Sequence, residues 1–260
     1  MTTDSTFDAG RRTGRRLAAV LAWAGLGLAA ACGVAALLAG PGYRLGWWAL
    51  GPGIQIVRWS ATVALAALVV TMVAAIAARA TGARPAWAAA LTGLVLSLAV
   101  AGPPLWLWWQ ADRLPRIHDV STDTDDPPRF VAVLPLRKDA RNSTDYSAAT
   151  AAQQKRGYPD LAPLQLDVPP AKALLLAERA ARAMGWDVIA VAPADLRIEA
   201  TDTTLLFGFK DDVVIRVTAS AGGSRVDVRS LARVGGSDFG VNAKRIRSFL
   251  RRLSAIHAGS

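Results

Sequence analysis

The residues with most chemical potential lie late in the chain, at Asp211-Asp212 and between Gly235 and Arg245. Successive residues of a strand point to opposite faces, so these two aspartates cannot act on one substrate as a carboxylate pair. Asp211 falls on the apolar face of its strand with Phe209, Val213, Ile215 and Val217, and Asp212 faces away with Lys210, Arg216 and Thr218. A carboxyl on an apolar face is either a single acid of perturbed pKa in a cleft or a structural group. The structural alternatives are a partner for an arginine such as Arg229 or Arg233, or a turn at the strand start. A structural role is the stronger reading, since structural ion pairs also perturb a pKa.

The loop Gly235-Gly236-Ser237-Asp238-Phe239-Gly240 leads into a basic helix. Backbone N–H groups at a helix start attract a phosphate or an acidic headgroup, and Arg245 could assist. In the competing reading, Asp238 or Asn242 caps the helix with its own side chain. The loop lacks the Gly-Lys-Ser/Thr ending of a Walker loop and the G-x-S-x-G pattern of a nucleophile elbow. The candidate ligand- or partner-binding residues are therefore Asp211, Arg229, Arg233, Ser237, Asp238, Asn242 and Arg245. No catalytic set is assigned, and no cofactor is expected. A hydrolase using Asp211 or Ser237 is the remaining enzymatic alternative.

His118-Asp119 with Asp123, Asp125 and Asp126 lacks the Gly and distal Glu of a calcium loop. Asx-turns and solvated acids are the better reading. One cysteine (Cys32) and two histidines (His118 and His257, the latter in the C-terminal tail) cannot supply a structural zinc site.

The elements that must position these groups follow from periodicity. Residues 118–170 are poorly patterned; only Arg129–Leu136 reads as a strand, and Phe130, Tyr146, Tyr158, Leu161 and Leu164 favour a segment that wraps the domain. Pro169-Pro170 open a helix with a stripe at Ala173, Leu174, Ala177, Ala180, Ala181 and Met184, closed by Gly185. Strands are expected at Asp187–Ala192, Leu196–Ala200, Leu206–Thr218 and Arg225–Ala232. In the last hairpin, pairing Thr218 with Arg225 sets Arg216 against Asp227, whereas a two-residue slip sets it against Arg229. Such pairs are worth about 0.2–1 kcal/mol, which selects the first register. A final helix spans Asn242 to about Ile256. The result is an α+β domain, with an antiparallel sheet of about four to five strands and two helices able to cover one face.

The first 110 residues read differently. Three apolar runs, Leu17–Ala39, Ala61–Ala78 and Ala86 to Trp109, are each long enough to cross a hydrocarbon core of about 30 Å and contain no charge. Gly40-Pro41-Gly42 ends the first run, and Pro103-Pro104 is expected to kink the third or end it early. Seven tryptophans at or near run ends suit the headgroup region. The net charge of +10 divides unevenly. Ten arginines against Asp4, Asp8 and Asp112 leave residues 1–116 at +7, and 20 Lys+Arg against 17 Asp+Glu leave the rest at +3. Juxtamembrane arginine accounts for most of the excess, and nucleic-acid binding is not expected. Six arginines (11, 12, 15, 16, 79 and 84) on one side against four (44, 58, 113 and 116) on the other place the N-terminus in the cytoplasm. Ala29-Ala30-Ala31-Cys32 resembles a lipoprotein cleavage site, but the apolar run continues to spanning length, so a packed cysteine is the stronger reading. The organisation is a basic tail over 1–16, a membrane domain over 17–110 (spans about 17–39, 61–78 and 86–107) and an α+β domain over 117–260.

Asp119–Asp123 followed by Pro127-Pro128, Tyr158-Pro159-Asp160, Gly185-Trp186, Gly208–Asp212, Arg229–Gly235 and Ser237–Ile246 together resemble the bacterial "domain of unknown function 1499" family. Ala232 stands where the resemblance leads one to expect serine. The resemblance covers roughly 117–255. It implies an envelope protein, often with N-terminal membrane spans, and no established activity. The expected protein is a non-enzymatic inner-membrane protein with a periplasmic interaction domain. Its partners are the lipid bilayer and another envelope protein or an anionic ligand; a ligand- or lipid-binding module is the alternative.

Overall fold

A computed structural model describes residues 3–111 and 113–259. Residues 1 and 2 of the expected basic tail, Asp112 and Ser260 lie outside the described residues. The chain divides into two compact units, residues 1–109 and 110–260.

The first unit is three helices: α1 (Thr3–Arg44), α2 (Leu50–Thr81) and α3 (Arg84–Ala111). All three are long and apolar enough to cross a membrane. Each exceeds its apolar run. α1 continues through Pro41 to Arg44 and α3 through Pro103-Pro104 to Ala111, so neither proline site ends its helix. A proline removes one N–H and crowds a carbonyl one turn back, a disturbance that long apolar helices tolerate. The packing is small inside and large outside. Ala18, Ala22, Ala74, Ala78, Ala86, Ala89 and Ala90 form the buried seam, whereas Val20, Trp23, Val69, Ile76 and Val95 are exposed. A water-soluble bundle buries its large side chains; helices in lipid bring small ones together so that backbones approach closely. Gly93 shows how closely: a Cβ there would lie 2.7 Å from the Thr71 methyl and 3.1 Å from the Leu26 Cα. Cys32 is buried in a second small-residue contact with Ala64 and Ala101. At one end, the Arg15 Nε donates to the carbonyl of Thr81, the last residue of α2, at 2.7 Å.

The second unit is α+β. Its strands are β1 (Asp119–Ser121), β2 (Leu164–Leu166), β3 (Asp187–Ala192), β4 (Arg197–Thr203), β5 (Lys210–Ser220) and β6 (Gly223–Ala232). Its helices are α4 (Ala148–Gly157), α5 (Pro170–Ala183) and α6 (Val241–Ala258). β3 to β6 form an antiparallel meander, and β1 and β2 both pair with the far edge of β6. The sheet thus has six strands. The two additions are three residues each, too short for alternation to reveal them. Thr218 pairs with Arg225 and Arg216 with Asp227, the register selected by charge.

One sheet face carries Ile198, Ala200, Val213, Ile215, Val217, Val226 and Val228 and is covered by α5 and α6. Phe249 of α6 stacks on Trp186, ring centroids 5.3 Å apart. The other face is buried too, by the segment before α4. Here the expected strand Arg129–Leu136 is absent. The chain instead turns and forms a short 3-10 helix at Leu134–Arg137. The reason is Glu199, fully buried on β4, whose carboxylate accepts the N–H groups of Val131, Ala132 and Val133 at 2.9, 2.9 and 3.0 Å. Three successive N–H groups aimed at one carboxylate cannot also serve a ladder. Phe130 and Val133, three residues apart as a turn requires, pack on Val214 and Leu231.

β5 begins at Lys210 rather than Leu206, because Thr204–Phe209 close a turn in which Phe207 and Phe209 stack. His257 lies within α6 rather than in a loose tail, with its Nε2 beside Asp167.

Replacing Phe249 with alanine removes a fully buried ring. It is expected to destabilise the second unit by about 3–5 kcal/mol. Urea unfolding followed by hydrogen exchange of the β5 and β6 amides measures this.

Candidate functional site

Asp211 and Asp212 are both buried, one on each face of β5. Asp211 lies under the start of α6. Arg245 donates to it through Nη2 at 2.6 Å, to Asp202 through Nε at 2.7 Å, and to Ser230 Oγ through Nη1 at 3.1 Å; Nη1 also bonds Asn242 Oδ1. Asn242 and Arg245, one turn apart on α6, therefore face the sheet together. Asn242 completes the cluster by accepting from Ser230 at 2.8 Å and donating to the His118 carbonyl at 2.9 Å. Asp238 accepts the N–H of Gly240 at 3.0 Å and of Asn242 at 2.7 Å. It occupies the exposed amides of the helix start with the chain's own carboxylate.

On the opposite face, Asp212 accepts from Thr201 at 2.8 Å, from Arg233 Nε and Nη2 at 2.9 and 2.8 Å, and from Arg137. Arg137 and Arg233 each spend a further N–H on the loop before α4, on the Asn142 and Leu136 carbonyls. Arg229 forms a two-pronged pair with Asp119 (3.0 and 2.6 Å), donates to the Pro128 and Thr144 carbonyls, and lies over the rings of Phe130 and Tyr146.

The seven sequence-predicted residues thus separate. Asp211, Asp238, Asn242 and Arg245 share one cluster; Arg233 and Arg229 belong to two others across the sheet. Ser237 stands in the loop, accepting the Phe239 N–H at 3.3 Å. Ion pairing of Asp211 holds, but its arginine is Arg245, not Arg229 or Arg233. Asp212 does face away from Asp211, and it is buried as well. Asp119, read as a solvated acid, is buried. Asp123 does form the Asx-turn, accepting from Asp125 and Asp126 at 3.1 and 2.9 Å. Arg137, Glu199 and Asp202 were not singled out. A signal for some of them existed: Arg197, Glu199 and Thr201 alternate on β4, as Asp212 and Arg216 do on β5, so one sheet face is polar yet continuous with a core.

Burial raises the carboxyl pKa of Asp211 against the opposing pull of Arg245, and raises that of Asp238 against the N–H groups of Asn242 and Gly240. Asp119 is likewise raised by burial, with Arg229 opposing. Asp123 goes the other way. Burial disfavours its charge, but the amides of Asp126 and Asp125 and the guanidiniums of Arg225 and Arg216 together hold its pKa low. Chemically, these are carboxylates and guanidiniums committed to each other. Three surface cavities of this unit, of about 440, 290 and 500 Å³, are lined by α5, by the α4 end and by the β5–β6 turn, and hold none of the seven candidates.

Arg229→Met leaves Asp119 buried without its counter-charge and is expected to cost about 3–5 kcal/mol. A carboxyl with a raised folded-state pKa gains relative stability as pH falls and loses it as pH rises through that pKa. The deficit of the variant against the parent chain should therefore shrink on acidification. Unfolding measured from neutral pH down through the carboxylate range checks both the size and the slope.

Residues 119–253, just over half of the 260, match the family described as "Protein of unknown function (DUF1499)". No curated protein matches the chain. The matched segment runs from the first residue of β1 to Leu253 in α6, so it contains all six strands among the described residues and the three charge clusters above. The three N-terminal helices fit a membrane-anchored protein, and the chain belongs to the DUF1499 family of proteins of unknown function.

Proposed function

We propose that this is a non-enzymatic protein of the bacterial inner membrane whose second unit is a periplasmic interaction domain. Residues 1–16 form a cytoplasmic basic tail, residues 17–110 the membrane domain, and residues 117–260 the domain that meets another envelope component. The observation that carries the reading is the commitment of the charged candidates. Arg229, Arg233 and Arg245 each bond an internal carboxylate at 2.6–3.0 Å, with their remaining donors on loop carbonyls or on neighbouring side chains. Groups held this way position loops; a reacting or ligand-binding group needs at least one free valence facing an opening. Sidedness rests on arginine placement. Arg15 bonded to Thr81 brings the N-terminal arginines to the same end of the helices as Arg79 and Arg84, which concentrates six arginines on the side that remains in the cytoplasm.

Reporter fusions after Ser260 test sidedness: an active periplasmic phosphatase and a dark cytoplasmic fluorophore are expected, and the reverse pattern overturns the topology. Asp211→Asn tests the absence of catalysis. Arg245 keeps Asp202, so the variant should fold, insert and support the cellular role of the parent chain. A variant that folds normally yet loses that role would make Asp211 a reacting group and favour a hydrolase.

A further inference from the structure

Three loops meet at one end of the six-stranded sheet. The β4–β5 turn closes on Lys210, whose carbonyl accepts the Arg233 N–H at 3.0 Å. Arg233 starts the β6–α6 loop and bonds the Leu136 carbonyl at 2.7 Å, which brings in the loop before α4. Each loop carries large apolar side chains to the surface: Leu134 and Leu136, Leu206, and Phe239 and Val241 are all more than a third exposed. The opposite end, at the β5–β6 turn, carries Ala221 and Gly222 instead. Phe239 is held at φ 50, a conformation costly for a bulky residue, and the residue is 43% exposed. Exposed charges around the loops are more often basic than acidic: Lys138, Arg141, Lys210 and Lys244, against Asp139 and Asp145.

The chain itself says which surface lies within reach. α3 ends at Ala111, and six residues later the Ile117 carbonyl already accepts the Asp238 N–H at this same end. Six residues extend at most about 20 Å. The chain that follows the third apolar helix therefore enters the sheet at the end that bears the exposed apolar loops.

We propose that this end is a lipid-contacting rim. Leu206, Phe239 and Val241 enter the boundary between headgroups and acyl chains, and the lysines meet anionic headgroups. Exposed apolar tips flanked by lysine are the chemistry of interfacial anchoring, and each basic residue near an anionic surface adds to it. The buried clusters acquire a purpose: Arg233 and Arg137 fix the loop before α4, Asp238 fixes the loop of Phe239, and Arg245 with Asp202 fixes the β4 end. The inference rests on the membrane anchor but not on which side of the membrane the unit faces.

The test uses the full chain with Cys32→Ala, reconstituted in vesicles of phosphatidylethanolamine and phosphatidylglycerol. Single cysteines at Leu206, Phe239, Val241 and, as control, Ala221 carry a nitroxide spin label. Rim labels are expected to collide several-fold more often with oxygen than with a water-soluble nickel complex, and the Ala221 label the reverse. Adding Lys210→Glu and Lys244→Glu should move the rim labels toward water. Rim labels as aqueous as Ala221 overturn the proposal while leaving the anchor intact. Rim labels shielded from both reagents also overturn it, because a protein partner or second copy then covers this end. A chain that fails to float with the vesicles overturns the anchor and the rim together.

Discussion

Neighbouring aspartates on β5 send their carboxylates through opposite faces of one strand, and the second unit is organised around that divergence. Asp211 reaches up to Arg245 and ties α6 to the sheet. Asp212 reaches down to Arg233 and Arg137 and ties on the segment before α4. Each buried carboxylate is costly alone and tolerable only with guanidinium and hydroxyl partners in good geometry. The consequence is specificity of place. Van der Waals packing lets a loop slide by an ångström, whereas a two-pronged guanidinium–carboxylate pair does not.

The two faces of the sheet illustrate two ways of burying a surface. Under α5 and α6 the contact is apolar, built from valine, isoleucine, alanine and the stacked Trp186 and Phe249. Across the sheet the cover is mostly irregular chain, with one short 3-10 helix at Leu134–Arg137. An irregular segment is held down by Glu199 gripping three amides, by Arg229 gripping Asp119 and two carbonyls, and by Arg137 gripping Asp212. Irregular chain has backbone donors and acceptors to satisfy, and buried side-chain charge supplies the partners that a ladder would otherwise provide. The first unit uses a third solution, alanine and glycine contacts with the large side chains turned outward.

These differences explain what could be read from the residues. The meander, α5 and α6 were legible because each has a period that burial of one face imposes, and Arg216 with Asp227 even disclosed the hairpin register. Residues 118–170 were largely illegible. The turn at Val131–Val133 depends on Glu199, some 66 residues or more downstream, and no local pattern announces that a carboxylate will claim those amides. The candidate site was half legible for the same reason. Alternation placed Asp211 on an apolar face and required a partner; choosing Arg245 over Arg229 required knowing that α6 starts above β5. Neither Pro41 nor Pro103-Pro104 ends its helix, because local propensity is weaker than the demand of a long apolar helix for internal hydrogen bonds.

The account depends on Asp211 and Arg245 being a structural bracket. A double-mutant cycle with Asp211→Asn and Arg245→Met, read by unfolding of the second unit, tests this most directly. A favourable coupling of about 1–3 kcal/mol is predicted, within the range for residues sharing one buried network. Additive effects, with no coupling between the two positions, would contradict it.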